Sequence, residues 1–125
     1  LEQIIKTFIN FGITKTHYYE LMFGSHAPKY INYIGMPHEN IALRKKTLGL
    51  KFFDCFTECI SKCLCDNSKY SDTDIKLITL RIIGQLHGVL NLHHNRILIE
   101  VYHNPNEIID KTVRHILNEF DKESI

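Results

Sequence analysis

Residues 75–92 read IKLITLRIIGQLHGVLNL, and this stretch decides the fold. Between Ile75 and Leu92 only Lys76 and Arg81 are charged. Ile75, Ile78, Ile82, Leu86 and Val89 recur at the spacing of one helix face, and Ile83 and Leu90 widen the stripe. A helix with this much apolar surface is buried on two sides, and the simplest cover for the second side is another copy of the chain. It is not a membrane span, because Lys76 and Arg81 interrupt the run and Gln85, His87 and Asn91 would each be costly in hydrocarbon.

The same periodicity returns on both sides of the run. Upstream, Leu48, Phe52, Cys55, Phe56, Cys59, Ile60 and Cys63 keep one stripe, predicting a long helix from about Ile41 to Leu64 with Lys45, Lys46, Asp54, Glu58 and Lys62 off it. The intervening CDNSKYSD is a cluster of turn formers, and Ser71 or Asp72 with Asp74 supplies an N-cap, so the central helix spans about 73–93. Downstream, residues 97–102 have strand-like composition but no second strand candidate to pair with, and read as a connector or a helical turn. Asn104 then caps a helix with Pro105 at its first position, and Ile108, Ile109, Val113, Ile116, Leu117 and Phe120 carry it to about Lys122.

At the start of the chain, Leu1, Ile4, Ile5, Phe8 and Phe11 share a face, with Gly12 as the expected stop. Thr14 or Thr16 caps a short helix ending at Phe23, walled by Tyr18, Tyr19, Met22 and Phe23. From Ser25 to Asn40, Pro28, Gly35 and Pro37 leave room for one or two helical turns. The expected fold class is all-α: five or six helices in a single-domain bundle.

The bulk numbers narrow the function classes. One domain fits 125 residues, and 15 Lys+Arg against 14 Asp+Glu, unblocked and netting +1, give no electrostatic footprint for nucleic acid. Cys55, Cys59, Cys63 and Cys65 crowd into eleven residues instead of spreading as a disulfide framework would, which points to a reducing, cytoplasmic setting. The chain opens on Leu1 inside a periodic segment, so it reads as a fragment of a longer protein. There is no Gly-rich phosphate loop, no Gly-x-Ser-x-Gly elbow and no paired carboxylates, so an enzyme and a cofactor are not expected.

The cysteines admit a second reading, since Cys55, Cys59 and Cys63 fall on one helix face with Cys65 following. With a histidine they could make a thiol- or metal-responsive protein. No second Cys/His pair is spaced to complete a structural zinc site, so buried small hydrophobes are the expectation and no metal is assigned.

Three features line up in order: the aromatic block Tyr18-Tyr19-Glu20-Leu21-Met22-Phe23, the long middle helix, and Leu86-His87-Gly88 followed by an apolar tail and a final helix. This order resembles the C-terminal regulatory domain of TetR-type transcriptional regulators, in the subgroup with a Trp-His-Gly signature. The family's tryptophan would fall near Ile83, and the chain contains no Trp. The resemblance implies a homodimer through the last two long helices, packed as a four-helix bundle. It also implies a small-molecule effector, and operator DNA contacted only through an N-terminal helix-turn-helix domain that this sequence lacks. A repressor released by an apolar or aromatic molecule is the expected function, with a plain helical dimerisation module as the simpler alternative.

On that reading the interface takes Ile78, Ile82, Gly84, Gly88, Ile109, Val113, Ile116 and Phe120, the two glycines letting a second backbone approach. The pocket takes Tyr18, Tyr19, Phe23, Phe52, Phe56, Cys59, Ile83 and His87. Against this, His87 and the aromatic stripes would serve equally as ordinary core.

Overall fold

The computed structural model describes residues 1–24, 29–64 and 67–123. Among these are seven α-helices and no strand: α1 Glu2–Thr14, α2 Thr16–Phe23, α3 Tyr30–Tyr33, α4 Glu39–Cys63, α5 Asp72–His94, α6 Ile97–Val101 and α7 Pro105–Glu123. The fold is all-α, as the periodicity predicts. The count exceeds the expected five or six because residues 30–33 and 97–101 each close a short helix of their own.

α5 is the hub, packing against α1, α4, α6 and α7. Its N-terminus forms where the local chemistry demands it: Asp74 N–H donates to Ser71 Oγ at 3.1 Å and Ser71 N–H donates to Asp74 Oδ2 at 2.9 Å, a reciprocal capping box. Hydrogen bonding from the Ser71 backbone and side chain holds the Asp74 carboxyl below its usual range. The apolar stripe then goes inside, with Ile75, Ile78, Ile82, Leu86, Val89 and Leu90 all buried. Thr79 is buried among them and its hydroxyl is satisfied by the Ile75 carbonyl at 2.8 Å. Around this helix the core gathers Ile5, Phe8 and Ile9 of α1, Tyr19 of α2, Phe56 and Ile60 of α4, Leu98 of α6, and Ile109, Val113, Ile116 and Phe120 of α7.

Two sequence expectations change here. Gly12 does not stop α1, which runs on to Thr14. Gly12 instead sits where α1 crosses α5 against Leu90: a Cβ built on it would sit 2.6 Å from Leu90 Cδ1, and Leu90 is fully buried in a close-packed core.

The interface assignment is the larger correction. Ile78, Ile82, Ile109, Val113, Ile116 and Phe120, expected to meet a second copy, are buried within the chain itself. The α5 and α7 stripes face each other intramolecularly, so none of these six is free to meet a partner. Of the expected set only Gly84 and Gly88 are exposed, with open space where a Cβ would be. They lie on an outward face of α5 that also carries Leu77 and Leu80, which are 59% and 55% exposed, and Leu92.

The upper half of α4 behaves differently from the rest. Phe56 and Ile60, both in its C-terminal half, are its only fully buried residues, and α3 packs against α4 alone among the stronger helix pairs. Together α3 and the first half of α4 form an annex to the core.

The two kinds of helical glycine predict opposite substitutions. Gly49, inside α4 with nothing within reach of a Cβ, gains about 1 kcal/mol of stability as Gly49→Ala. Gly12→Val loses roughly 1–3 kcal/mol through overpacking against Leu90. Thermal unfolding measures both, and a Gly12→Val chain that melts no lower than the wild type contradicts the α1–α5 packing.

Candidate functional site

The expected pocket residues are largely brought together, but as a packed cluster. Phe8 of α1 is at its centre, with ring centroids 5.7 Å from those of Tyr19, Phe23 and Phe52 and 6.3 Å from Phe56. Tyr19 and Phe23 are 4.9 Å apart, and Phe52 and Phe56 5.8 Å. These are the edge and offset geometries of aromatic packing, so the rings fill the space between α1, α2 and α4. Ile83 packs half-buried against the same core, and Cys59 is half-buried on α4. Tyr18 points away and is 60% exposed.

Polar chemistry enters this cluster from α5. The Tyr19 hydroxyl lies 2.5 Å from His87 Nδ1, with the two rings stacked at 5.7 Å. Burial pushes the Tyr19 phenol well above its ordinary value, with the Glu20 charge adding to the shift, so it stays protonated and donates. His87 accepts at Nδ1 and carries its own proton on Nε2 when neutral. Six residues past the signature, His94, with its side chain 6% exposed, donates from Nε2 to the Gly12 carbonyl at 2.7 Å. Its Nδ1 lies 3.3 Å from Glu20 Oε1 without hydrogen-bond alignment. Tyr19 thus sits between two α5 histidines, which fasten α2 and the end of α1 to the hub.

An open concavity occurs elsewhere. A groove of about 680 Å³ runs between α2, α3 and the first half of α4, walled by Leu21, Met22, Tyr30, Ile31, Tyr33 and Ile41. None of the eight expected pocket residues lines it. Gly49 opens its floor, since a Cβ there would touch nothing. Lys29, Lys45 and Lys46 also line it, with His38, and among the described residues no Asp or Glu does.

The lysines are held in place by neutral partners. Lys45 Nζ donates to the Leu21 carbonyl at 2.8 Å and Lys29 Nζ to the Met22 carbonyl at 3.3 Å, both at the C-terminal turn of α2 where carbonyls favour a cation. Lys46 Nζ stands 5.0 Å above the Tyr30 ring. The sequence reading missed this site because Lys45 and Lys46 fall off the α4 stripe and read as a solvated face. The available signal was Ile41, Leu43, Leu48 and Leu50 interleaved with those lysines, four apolar residues that remain exposed.

Among the described residues no three His, Cys, Asp or Glu side chains form a group able to hold a metal ion. Cys55 and Cys63 are exposed free thiols on α4, while Cys65 and His26 lie outside the described residues. No helix is long and apolar enough to cross a membrane among those residues. No family model, curated protein or solved structure matches the chain.

The Tyr19–His87 contact predicts a pH signature. A phenol whose value is raised by folding contributes stability that is complete below the ordinary tyrosine value of 10.0 and is lost as the pH rises through the folded one. Tyr19→Phe leaves His87 Nδ1 without its donor and lowers stability at neutral pH by about 1–2 kcal/mol. It also flattens the alkaline loss, which urea unfolding at neutral and alkaline pH measures. An unchanged alkaline slope in the variant contradicts the buried, protonated phenol.

Proposed function

We propose that the chain is the effector-sensing and dimerisation domain of a TetR-like transcriptional regulator, a cytoplasmic repressor without enzymatic activity. The observation that carries this reading is the double character of α5. Its inner stripe is consumed by the core of its own chain, while Gly84 and Gly88 and the exposed Leu77, Leu80 and Leu92 leave an outer apolar face on the same helix. A helix at the centre of a domain that keeps such a face uncovered fits a self-complementary contact about a two-fold axis, with the glycines allowing close approach.

α7 borders that face through His115 and Glu119, which with Arg81 and Gln85 of α5 line the furrow between the two helices, and Arg81 pairs with Glu123 across it. Two such helix pairs make a four-helix interface with a small-residue centre and a polar rim. Sensing is assigned to the α2–α3–α4 groove, since the aromatic cluster first expected to form the pocket is closed by its own rings. α2 rests on α5 through Tyr19 and His87, so a ligand that favours one placement of α2 also favours one placement of α5. In a full-length regulator of this kind, that placement sets the separation of the DNA-reading domains.

Sedimentation equilibrium tests the interface. The wild-type chain is expected to be a dimer at micromolar concentration. Gly84→Leu/Gly88→Leu, whose added Cβ atoms enter open space, is expected to keep its helicity and weaken association at least about tenfold, on the order of 1.4 kcal/mol. A wild-type chain that remains monomeric, or a double variant that associates as before, removes the basis of the reading.

A further inference from the structure

The groove has a composition that names a ligand class. Four lysines elsewhere in the chain pair with a glutamate one helical turn away: Lys6 with Glu2, Lys62 with Glu58, Lys111 with Glu107 and Lys122 with Glu119. For the groove lysines of α4 that solution is excluded by the sequence, because Lys45 has Ile41 and Gly49 four residues away and Lys46 has Ala42 and Leu50. Their partners are carbonyls and a ring instead, and these leave the positive charge uncompensated. An ammonium has three protons, and Lys45 and Lys29 each spend one on an α2 carbonyl.

The charge is also gathered. Lys29 and Lys45 reach the same turn at the end of α2, and Lys46 lies over Tyr30, the residue next to Lys29. Beside this cationic corner the walls are apolar, and Ile31 and Ile41 are 76% and 67% exposed within them. Apolar side chains left that open in a concavity are unfavourable unless something covers them. A volume of about 680 Å³ is in the range that holds one small molecule.

We propose that the groove binds a small amphiphilic organic anion, with a carboxylate or equivalent head group at Lys29, Lys45 and Lys46 and an apolar body along Tyr30, Ile31 and Ile41. This inference deepens the sensor reading and rests on it for the ligand's biological role, while the binding itself does not depend on the dimer. The lysines take the head group by hydrogen bonds between opposite charges, which a cationic head cannot make and a neutral head accepts without the ionic attraction. Gly49 keeps the floor clear for the tail.

The test uses decanoate, decanol and decyltrimethylammonium as probes, titrated below their micelle-forming concentrations and followed by calorimetry. Decanoate is expected to bind one per chain and at least about tenfold more tightly than either of the others. Lys45→Met/Lys46→Met is expected to bring decanoate down to the affinity of decanol, and Lys45→Arg/Lys46→Arg to restore the preference. Gly49→Phe fills the groove from a position with open space, so it is expected to abolish decanoate binding while helicity and melting temperature hold.

Equal affinity for the three probes overturns the proposal, as does decanoate binding that survives Gly49→Phe. Preference for an acidic amphipathic peptide over decanoate, or protection of the groove only by a second copy of the chain, also overturns it. Sedimentation of the same samples separates the two readings. A dimer that ignores decanoate removes the ligand class and leaves the interface, and a monomer that binds decanoate does the reverse.

Discussion

The rest of the structure depends on the burial of one stripe on α5. Ile75, Ile78, Ile82, Leu86, Val89 and Leu90 are each at most 8% exposed, and α1, α4, α6 and α7 all pack against the helix that carries them. Burial of a branched aliphatic side chain is worth about 1.5–3 kcal/mol, so this stripe alone is comparable with the net stability of a small domain. α1 can lie against it because Gly12 removes a side chain at the crossing. α7 can lie along it because its own stripe is complementary.

The polar chemistry of the domain follows from that constraint. His87 and His94 project from α5 to meet α2 and α1, and both make their hydrogen bonds with groups that the packing has already brought close. Tyr19 is fully buried between them and keeps its proton. His87 therefore acts as a fastener between helices. The same short signature that placed it also left Gly84 and Gly88 open to solvent. One short sequence thus serves the inside of the chain with its histidine and leucine, and the outside with its glycines.

The helices were legible in the sequence because their ends are set by local chemistry. Ser71 with Asp74, and Pro105, mark boundaries through contacts a few residues long, and α5 and α7 begin within a residue of where those signals place them. Gly12 was misread because its role is a contact with Leu90, seventy-eight residues away, that no local pattern carries. Ile78, Ile82 and the α7 stripe were misassigned for a related reason: periodicity shows that a face is buried and does not say whether the same chain or a copy covers it. The groove escaped notice because its walls are exposed apolar residues set between lysines, a mixture that reads as ordinary surface until α3 folds back onto α4.

In the proposed dimer α5 has two covered sides, one closed by its own chain and one by a second copy across Gly84 and Gly88. Dipolar electron resonance measures this most directly, with a nitroxide placed at Leu92 in a chain whose native cysteines are replaced by alanine. Pairing across the outer face predicts one defined intermolecular distance that disappears on dilution as the dimer dissociates and the spin coupling is lost. Absence of intermolecular coupling at every concentration, in a chain that retains its helical content, would contradict it.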